Sequence, residues 1–191
     1  MKQDFDTRAL RSALGSFVTG VTVVTTIDET GSRYGVTVNS FSSVSLDPPL
    51  ILWSQALTSQ SHPAFRDTDH FAVNILADDQ HAISDHFARS GGDKFSDLRY
   101  VSGVRGAPLL PDAAAWLECR KVATHPAGDH VIYIGRIERF ANAFRRPLAF
   151  GAGEYLVTMP HEPNGFASPL LTCPGSRPGN EPLYGSFHRR N

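Results

Sequence analysis

The stretch GVTVNSFSSVSLDPPLILW, from Gly35 to Trp53, carries the pattern on which the fold prediction rests. Its first residues alternate Val with polar side chains, which is typical of a half-buried β-strand. After the double proline, the short apolar run PLILW predicts a second, fully buried strand. A dense group of hydroxyl and amide side chains lies between the two strands: Asn39, Ser40, Ser42, Ser43 and Ser45. Two buried strands therefore flank a loop that is rich in hydrogen-bonding groups.

The neighbouring segments predict more antiparallel strands. GVTVVTTI (20–27) is almost entirely β-branched, DETGSR (28–33) is a turn, and YGVTVNS (34–40) returns as the second strand of a hairpin. The four residues PAGD, which include a glycine, predict another hairpin. Further strands are predicted at 70–76, 116–125 and 130–140. Because strands and helices do not alternate regularly, we expect a mainly β fold, a closed or nearly closed antiparallel barrel with short peripheral helices.

Three short helices are predicted around these strands. The first covers Thr7 to Leu14, with Phe5, Leu10, Leu14 and Phe17 as its apolar side and Gly15 as its C-terminal stop. The second begins after Ser61, because Pro63 suits the first turn of a helix. The third runs from about Asp79 to Phe87, with Asp78 or Asp79 as its cap.

The chain divides into a domain over 1–159 and a tail over 160–191. The tail holds six prolines and four glycines in 32 residues and has little apolar periodicity. Such a composition predicts an extended arm, lying over a surface, or a disordered segment rather than a second domain.

Composition excludes several classes of protein. The net charge is -1 and no Lys/Arg run is present, which argues against a nucleic-acid-binding surface. No apolar stretch reaches the ~18 residues that a membrane-spanning helix needs. Cys119 and Cys173 are far apart and suit a reducing compartment, so we expect a cytoplasmic protein.

The usual local motifs of hydrolases and metalloenzymes are missing. The chain contains no G-x-G-x-x-G after a strand, no P-loop, no HExxH, no CxxC and no G-x-S-x-G. A metal site is therefore not predicted, and an enzyme with this sequence would need a cofactor to carry its reaction.

A second polar segment, SQALTSQSHPAF (54–65), follows the buried strand directly. Two explanations remain open from the residues alone. The hydroxyls can cap backbone groups in ordinary loops. Alternatively, the two polar segments line one cleft, which would suit a ligand with a flat hydrogen-bonding ring, a polyhydroxyl chain and a phosphate, such as a flavin nucleotide.

Several segments resemble the short-chain flavin reductases, the reductase components of two-component flavin-dependent monooxygenases. They are FVTGVTVVTT, YGVTVNSFSSVSLDPPLILW, FAVNIL, FARSGGDKF, APLL and GDH, in this order between Leu10 and Thr158. The resemblance implies an antiparallel, Greek-key-like split β-barrel that forms a homodimer. It also implies hydride transfer from NADH or NADPH to FMN or FAD, and a partner monooxygenase that receives the reduced flavin.

The resemblance assigns two groups of binding residues. The flavin residues are Thr37, Val38, Asn39, Ser40, Ser45, Ser54, Gln55, Ala56, Leu57, Thr58, Ser59, Arg89, Lys94 and Phe95. The nicotinamide residues are Gly128, Asp129, His130 and Tyr155, with His130 facing the nicotinamide and Asp129 holding the other ring nitrogen. Val38 stands where the family commonly has a smaller Ala. No catalytic side chain is required, because hydride passes from one cofactor to the other.

Other functions on the same barrel stay open from the sequence. One is a flavin-binding electron carrier or oxidase without NAD(P)H:flavin reductase activity, and another is a non-catalytic flavin- or haem-binding module. His130 in the GDH segment favours the reductase.

Overall fold

The computed structural model describes residues 6–161 and the short strand at 185–186. Its three helices are α1 (Thr7–Gly15), α2 (His62–Asp67) and α3 (His81–Ala88). The strands are β1 (Thr19–Gly20), β2 (Thr22–Ile27), β3 (Arg33–Val38), β4 (Ser42–Leu46), β5 (Pro49–Ala56), β6 (His70–Ile75), β7 (Val101–Ser102), β8 (Pro108–Leu109), β9 (Ala115–Ala127), β10 (His130–Asn142), β11 (Leu148–Gly151), β12 (Glu154–Val157) and β13 (Gly185–Ser186). The fold is mainly β, as predicted.

The main sheet is antiparallel and has the order β3-β2-β6-β9-β10-β5-β4, with β13 paired to β10. A smaller sheet, β1-β11-β12, and the pair β7-β8 complete the strand set of the described residues. Within this set no backbone ladder joins β3 to β4, so the main sheet is not closed by backbone hydrogen bonds. The hairpins β2–β3 and β9–β10 have the predicted pairing.

Two apolar clusters hold the sheet together, and β2 contributes to both of them. Val24 packs in the first cluster and Val23 in the second, since successive strand residues point to opposite faces. Trp53 lies at the centre of the first cluster, with its ring centroid 5.0 Å from Phe65 and 4.9 Å from Tyr133. The β-branched run of β2 is therefore explained by burial on both faces.

The segment predicted as a Ser-rich loop is partly a strand. Ser42–Leu46 forms β4, which pairs antiparallel with β5 and has a register shift between Ser43 and Ser45. The prediction failed because Ser hydroxyls commonly bond the backbone in loops, whereas here pairing with β5 supplied the backbone hydrogen bonds. The hairpin β11–β12 was also missed by the sequence analysis.

Helix α1 lies at its predicted place but does not bury its predicted apolar side. Asp6 caps it by accepting a hydrogen bond from the Arg8 N–H at 2.9 Å. Leu14 is 66% exposed and Phe17, just after the helix, is 77% exposed. Phe5 lies outside the described residues. The apolar side of α1 is therefore open to solvent in a single copy of the chain.

The predicted cap of α3 is wrong. The helix begins at His81, and its N-cap residue is Gln80 rather than Asp78 or Asp79. Both carboxylates have other partners, because Asp78 pairs with Arg146 and Asp79 pairs with Arg145.

The predicted tail, 160–191, lies outside the described residues except for residues 160 and 161 and strand β13. That strand pairs antiparallel with Arg139 and Phe140 of β10. Strand β5 covers β10 only as far as Arg136, so β13 pairs with β10 beyond the end of β5. No helix among the described residues has the length and apolar character needed to cross a membrane.

Gly135→Ala should destabilise the fold by about 1–3 kcal/mol, as overpacking in cores commonly does. A Cβ at this position of β10 would lie 2.5 Å from the Phe71 ring and 3.0 Å from the Cys119 Cβ. Urea unfolding measures the change in the free energy of unfolding. Gly20→Ala is the matched control, because nothing lies within 4 Å of its added Cβ. Equal unfolding midpoints for the two variants would contradict this packing.

Candidate functional site

The two polar segments meet through one serine side chain. The Ser40 hydroxyl donates a hydrogen bond to the Ser54 carbonyl at 2.9 Å and accepts one from the Ser54 N–H at 3.0 Å. Ser40 lies between β3 and β4, whereas Ser54 belongs to β5. The polar loop after β3 is thereby held against the strand that leads into the second polar segment.

A cleft of ≈ 210 Å³ lies beside the end of β3, and we call it the Tyr155 cleft. Its lining consists of Val21, Thr37, Val38, Asn39, Ser84, Ala88, Phe150 and Tyr155. The Thr37 hydroxyl donates to the Ser84 carbonyl at 2.7 Å, and the Tyr155 hydroxyl donates to the Asp85 carboxylate at 2.6 Å. Burial and the bond to Asp85 raise the pKa of Tyr155. These contacts fix the walls of the cleft to α3.

The position of Tyr155 differs from the predicted grouping. The family resemblance groups Tyr155 with His130 at the nicotinamide. The structure instead places it in one cleft with Thr37, Val38 and Asn39, which were assigned to the flavin. Strand β12 carries Tyr155 in the smaller sheet, whereas His130 begins β10 of the main sheet.

A second cavity, of ≈ 220 Å³, is lined by cations, and we call it the basic cavity. Arg33, Arg89 and Lys94 contribute positive charge, and its lining contains no Asp or Glu. The other lining residues are Tyr34, Gly35, Val36, Ser59, Gln60, Ser61, Phe87, Ala88, Ser90, Gly91 and Gly92. A concave surface with this charge favours an anion.

Lys94 has a structural role in addition to lining this cavity. Its ammonium donates to the Phe87 carbonyl at 2.8 Å and to the Gly35 carbonyl at 3.2 Å, which ties α3 to β3. Burial lowers the pKa of Lys94. An ammonium has three N–H donors, so one is left for a ligand. Phe95, which was predicted to contact the flavin, is only 5% exposed and packs its side chain on Phe87 in the core.

A buried polar network lies behind the second polar segment. Gln55 was predicted to contact the flavin, yet it is only 2% exposed because it shares the inward face of β5 with Trp53. Its amide nitrogen lies 3.0 Å from the Ser61 hydroxyl and 3.3 Å from the Ser59 hydroxyl. Its amide oxygen lies 3.4 Å from His62 Nδ1. Gln55 therefore supports the segment from inside.

The turn between β9 and β10 is attached to the same segment. The Leu57 N–H donates to the Asp129 carbonyl at 3.0 Å, and His130 pairs with Ala56 across β10 and β5. Gly128 has φ +65°, a conformation that favours glycine at this turn. The structure thus places His130 beside the second polar segment.

The His130 ring is held from one side. Its Nδ1 lies 2.7 Å from the Asp129 carboxylate, and this hydrogen bond lowers the pKa of Asp129. The His130 side chain is 46% exposed, so its other edge is accessible.

The other residues predicted to bind flavin differ in their exposure and in their distance from the two cavities. Ser54 and Ala56 are half-buried, while Leu57 and Thr58 are exposed on the turn after β5. Ser45 lies on β4 opposite Leu50 and lines neither of the two cavities described above.

Sequence reasoning missed several lining residues. Arg33 reaches the basic cavity from the start of β3, and Phe150 reaches the Tyr155 cleft from β11. No local motif marks them, since strand pairing brings them to these positions. Ser61 was detectable, because it belongs to the polar segment that the sequence analysis singled out.

Comparison with known proteins gives a consistent result. The family model described as "Flavin reductase like domain" matches residues 14–158. The chain is 47% identical to the FMN reductase (NADH) SmoA of Agrobacterium fabrum over 150 residues, which cover 78% of this chain and 85% of that protein. It is 46% identical to the reductase component of the flavin-dependent trigonelline monooxygenase of Acinetobacter baylyi, with 78% of this chain covered. That match spans only 48% of the Acinetobacter protein.

A solved structure has the same fold. The NADH:FAD oxidoreductase SgcE6 of Streptomyces globisporus superimposes with a TM-score of 0.79 at 34% identity, covering 85% of this chain and 98% of that chain. A second structure of the Streptomyces protein, in complex with NAD and FAD fragments, gives a TM-score of 0.76. The family model covers most of the described residues, and the chain belongs to the flavin reductase-like domain family.

Proposed function

We propose that the protein is an NAD(P)H:flavin oxidoreductase that reduces FMN or FAD and supplies reduced flavin to a partner monooxygenase. One observation carries the proposal: the Ser40–Ser54 contact joins the two polar segments, and the second of these leads into the cation-lined cavity. The Agrobacterium relative is named an NADH-dependent FMN reductase and the Acinetobacter relative a monooxygenase reductase component, which supports both halves of the proposal.

The residues of the basic cavity fit the phosphate of a flavin nucleotide. Arg33, Arg89 and Lys94 provide positive charge without a competing carboxylate. Ser59 and Ser61 add hydroxyl groups to the same lining. Charge-assisted hydrogen bonds of this kind are stronger than neutral ones. These groups hold the phosphate end of the ligand.

The residues after β3 fit the edge of a flavin ring mainly through their backbone. The Thr37 and Ser40 hydroxyl protons are already donated to the carbonyls of Ser84 and Ser54. Backbone groups of 37–40 and the Asn39 amide are therefore the donors that orient the ring. When bound, the flavin supplies the redox chemistry by accepting a hydride from the reduced nicotinamide. The donors around its polar edge stabilise the charge that develops there.

His130 is the side chain that we assign to the nicotinamide. The Asp129 carboxylate accepts a hydrogen bond from Nδ1–H, and the tautomer with its proton on Nδ1 leaves Nε2 as an acceptor. An acceptor at this position suits the carboxamide N–H groups of the nicotinamide. The turn that carries His130 is bonded to Leu57, so the two ligands are brought to neighbouring parts of the chain.

We also propose a split β-barrel and a homodimer. Strand β3 is one edge of the main sheet, and β5 lies next to the other edge strand, β4. The Ser40–Ser54 contact holds the connection after β3 against β5 and so brings the two edges together. Leu14, Phe17 and Val18 are exposed near α1, and Leu156 and Val157 are exposed on β12. The Ala152 N–H donates to the Gly15 carbonyl, so these apolar side chains belong to one region. A second copy of the chain would cover such a patch.

The buried free thiol of Cys119 suits a reducing cytoplasm.

The test of the function is NADH or NADPH oxidation followed at 340 nm with FMN, FAD or no flavin. We expect oxidation that requires added flavin, with a preference for NADH. The reduced flavin should then support turnover of a flavin-dependent monooxygenase in the same vessel. Flavin binding without any oxidation of either nucleotide would contradict the reductase assignment and favour an electron carrier.

His130→Ala should raise the apparent KM for NADH about 5–15-fold, because a hydrogen bond of ~1–1.5 kcal/mol is lost. Flavin titration should change little, since His130 is assigned to the nicotinamide. His125→Ala is the matched control. His125 is an exposed histidine of the same hairpin, but it lies opposite Ile132 rather than at the turn. A variant at His130 that loses flavin affinity and keeps its KM for NADH would reverse the assignment.

A further inference from the structure

The polar network behind the basic cavity determines which way its hydroxyl groups point. The Gln55 amide nitrogen donates to the Ser61 hydroxyl at 3.0 Å and to the Ser59 hydroxyl at 3.3 Å. The two hydroxyl oxygens are 3.1 Å apart, so one hydroxyl donates to the other. Within the described part of the chain, neither hydroxyl donates to any further protein group.

This arrangement leaves one O–H without a protein acceptor. Each serine hydroxyl has a single proton, and only one of the two is used between the pair. Both serines line the basic cavity together with Arg89 and Lys94. The spare O–H is therefore available as a donor toward an anion in that cavity.

The orientation of the Gln55 amide decides whether a serine O–H is free to donate to an anion. With its oxygen toward the serines, the amide would accept both hydroxyl protons and leave no donor for an anion. The opposite orientation is favoured by the His62 tautomer with a proton on Nδ1, which lies 3.4 Å from the Gln55 oxygen and 3.2 Å from the Tyr133 hydroxyl. In that tautomer Nδ1 donates to the Gln55 oxygen and Gln55 keeps its nitrogen toward the serines. Tyr133 is 1% exposed and Gln55 is 2% exposed, so water does not replace these partners.

We propose that Gln55 is a positioning residue that turns the Ser59–Ser61 hydroxyl pair into a donor for a phosphate group in the basic cavity. The inference rests on the proposed function and specifies how its phosphate is recognised. The phosphate belongs either to the monoester of FMN or to the diphosphate of FAD. Gln55 itself does not touch the ligand.

The test compares flavins with and without phosphate. Gln55→Glu keeps the shape of the side chain and, in its ionised form, only accepts hydrogen bonds, whereas Gln55→Met removes the donors without adding charge. Dissociation constants for FMN, FAD and riboflavin are measured by flavin fluorescence. We expect Gln55→Glu to bind FMN about tenfold or more weakly, since its carboxylate takes the hydroxyl protons and a hydrogen bond to a charged group is lost. Gln55→Met should weaken FMN binding less, because the hydroxyls keep their protons and lose only the donors that orient them. Riboflavin affinity should change by roughly twofold or less.

A double-mutant cycle separates positioning from simple support of the fold. In a Ser59→Ala/Ser61→Ala background, Gln55→Met should cause no further loss of FMN affinity, because Gln55 acts through these hydroxyls. Arg89→Ala should likewise weaken the binding of FMN and FAD more than that of riboflavin. Arg99 is exposed and does not line the cavity, so Arg99→Ala should leave all three affinities unchanged. If Gln55→Glu fails to fold, the Met variant and the cycle carry the test.

Each outcome has a distinct meaning. Loss of FMN affinity alone supports the inference and identifies the monoester as the ligand, and loss of both FMN and FAD affinity extends it to the diphosphate. Equal loss of FMN and riboflavin affinity, or additive losses in the cycle, would overturn the positioning role. A wild-type protein that does not distinguish FMN from riboflavin would also overturn it, while NADH oxidation would still uphold the proposed function. A wild-type protein that binds no flavin and oxidises no NADH would instead defeat the proposed function.

Discussion

The Ser40 hydroxyl joins the connection between β3 and β4 to β5, at a place where no backbone ladder of the described residues does so. It donates to the Ser54 carbonyl and accepts from the Ser54 N–H, so it replaces two hydrogen bonds that a neighbouring strand would have made. Strand β3 ends at Val38, and β4 begins only at Ser42. The sheet therefore leaves backbone groups of 39–41 available at this point. Both polar segments depend on this contact for their relative position.

The site is built in layers behind that contact. The apolar layer contains Trp53, which packs against Phe65 and Tyr133. Next comes the buried polar layer, in which burial raises the pKa of Tyr133 to about 12 and keeps the phenol protonated. Gln55 connects this layer to the hydroxyls that line the basic cavity. Each layer fixes the one outside it, which is how a binding site gains a defined geometry before its ligand arrives.

The sequence predicted the strands of the main sheet well where side-chain pattern alone decides burial. The β-branched run of β2 is such a case. The apolar run of β5 is a strand as predicted, but it alternates buried and half-buried residues rather than being fully buried. The sequence prediction failed where pairing with a distant segment decides the structure. Strand β4 exists because β5 offers hydrogen bonds, and Asp78 does not cap α3 because Arg146 binds it. Neither partner can be identified from the local pattern.

The candidate site likewise has features that the local sequence predicts and features that depend on distant segments. The hydrogen bond between Asp129 and His130 was predictable, because the two residues are adjacent in sequence. Gln55 was assigned to the ligand, although it lies two residues after Trp53 and so shares its inward face. Tyr155 was grouped with His130, but the pairing of β11 with β1 and β12 places it beside the end of β3. That pairing is non-local and has no counterpart in the local sequence.

Hydrogen–deuterium exchange of the wild-type protein, with and without saturating FMN, tests most directly whether the two polar segments and the basic cavity form one flavin site. If they form one site, amide exchange should be slower in the presence of FMN at 36–40, 54–61 and 88–95. Residues 101–109, which form the separate β7–β8 pair, should exchange at the same rate in both states. Protection confined to 101–109, or protection at 88–95 without any change at 36–40, would contradict a single flavin site.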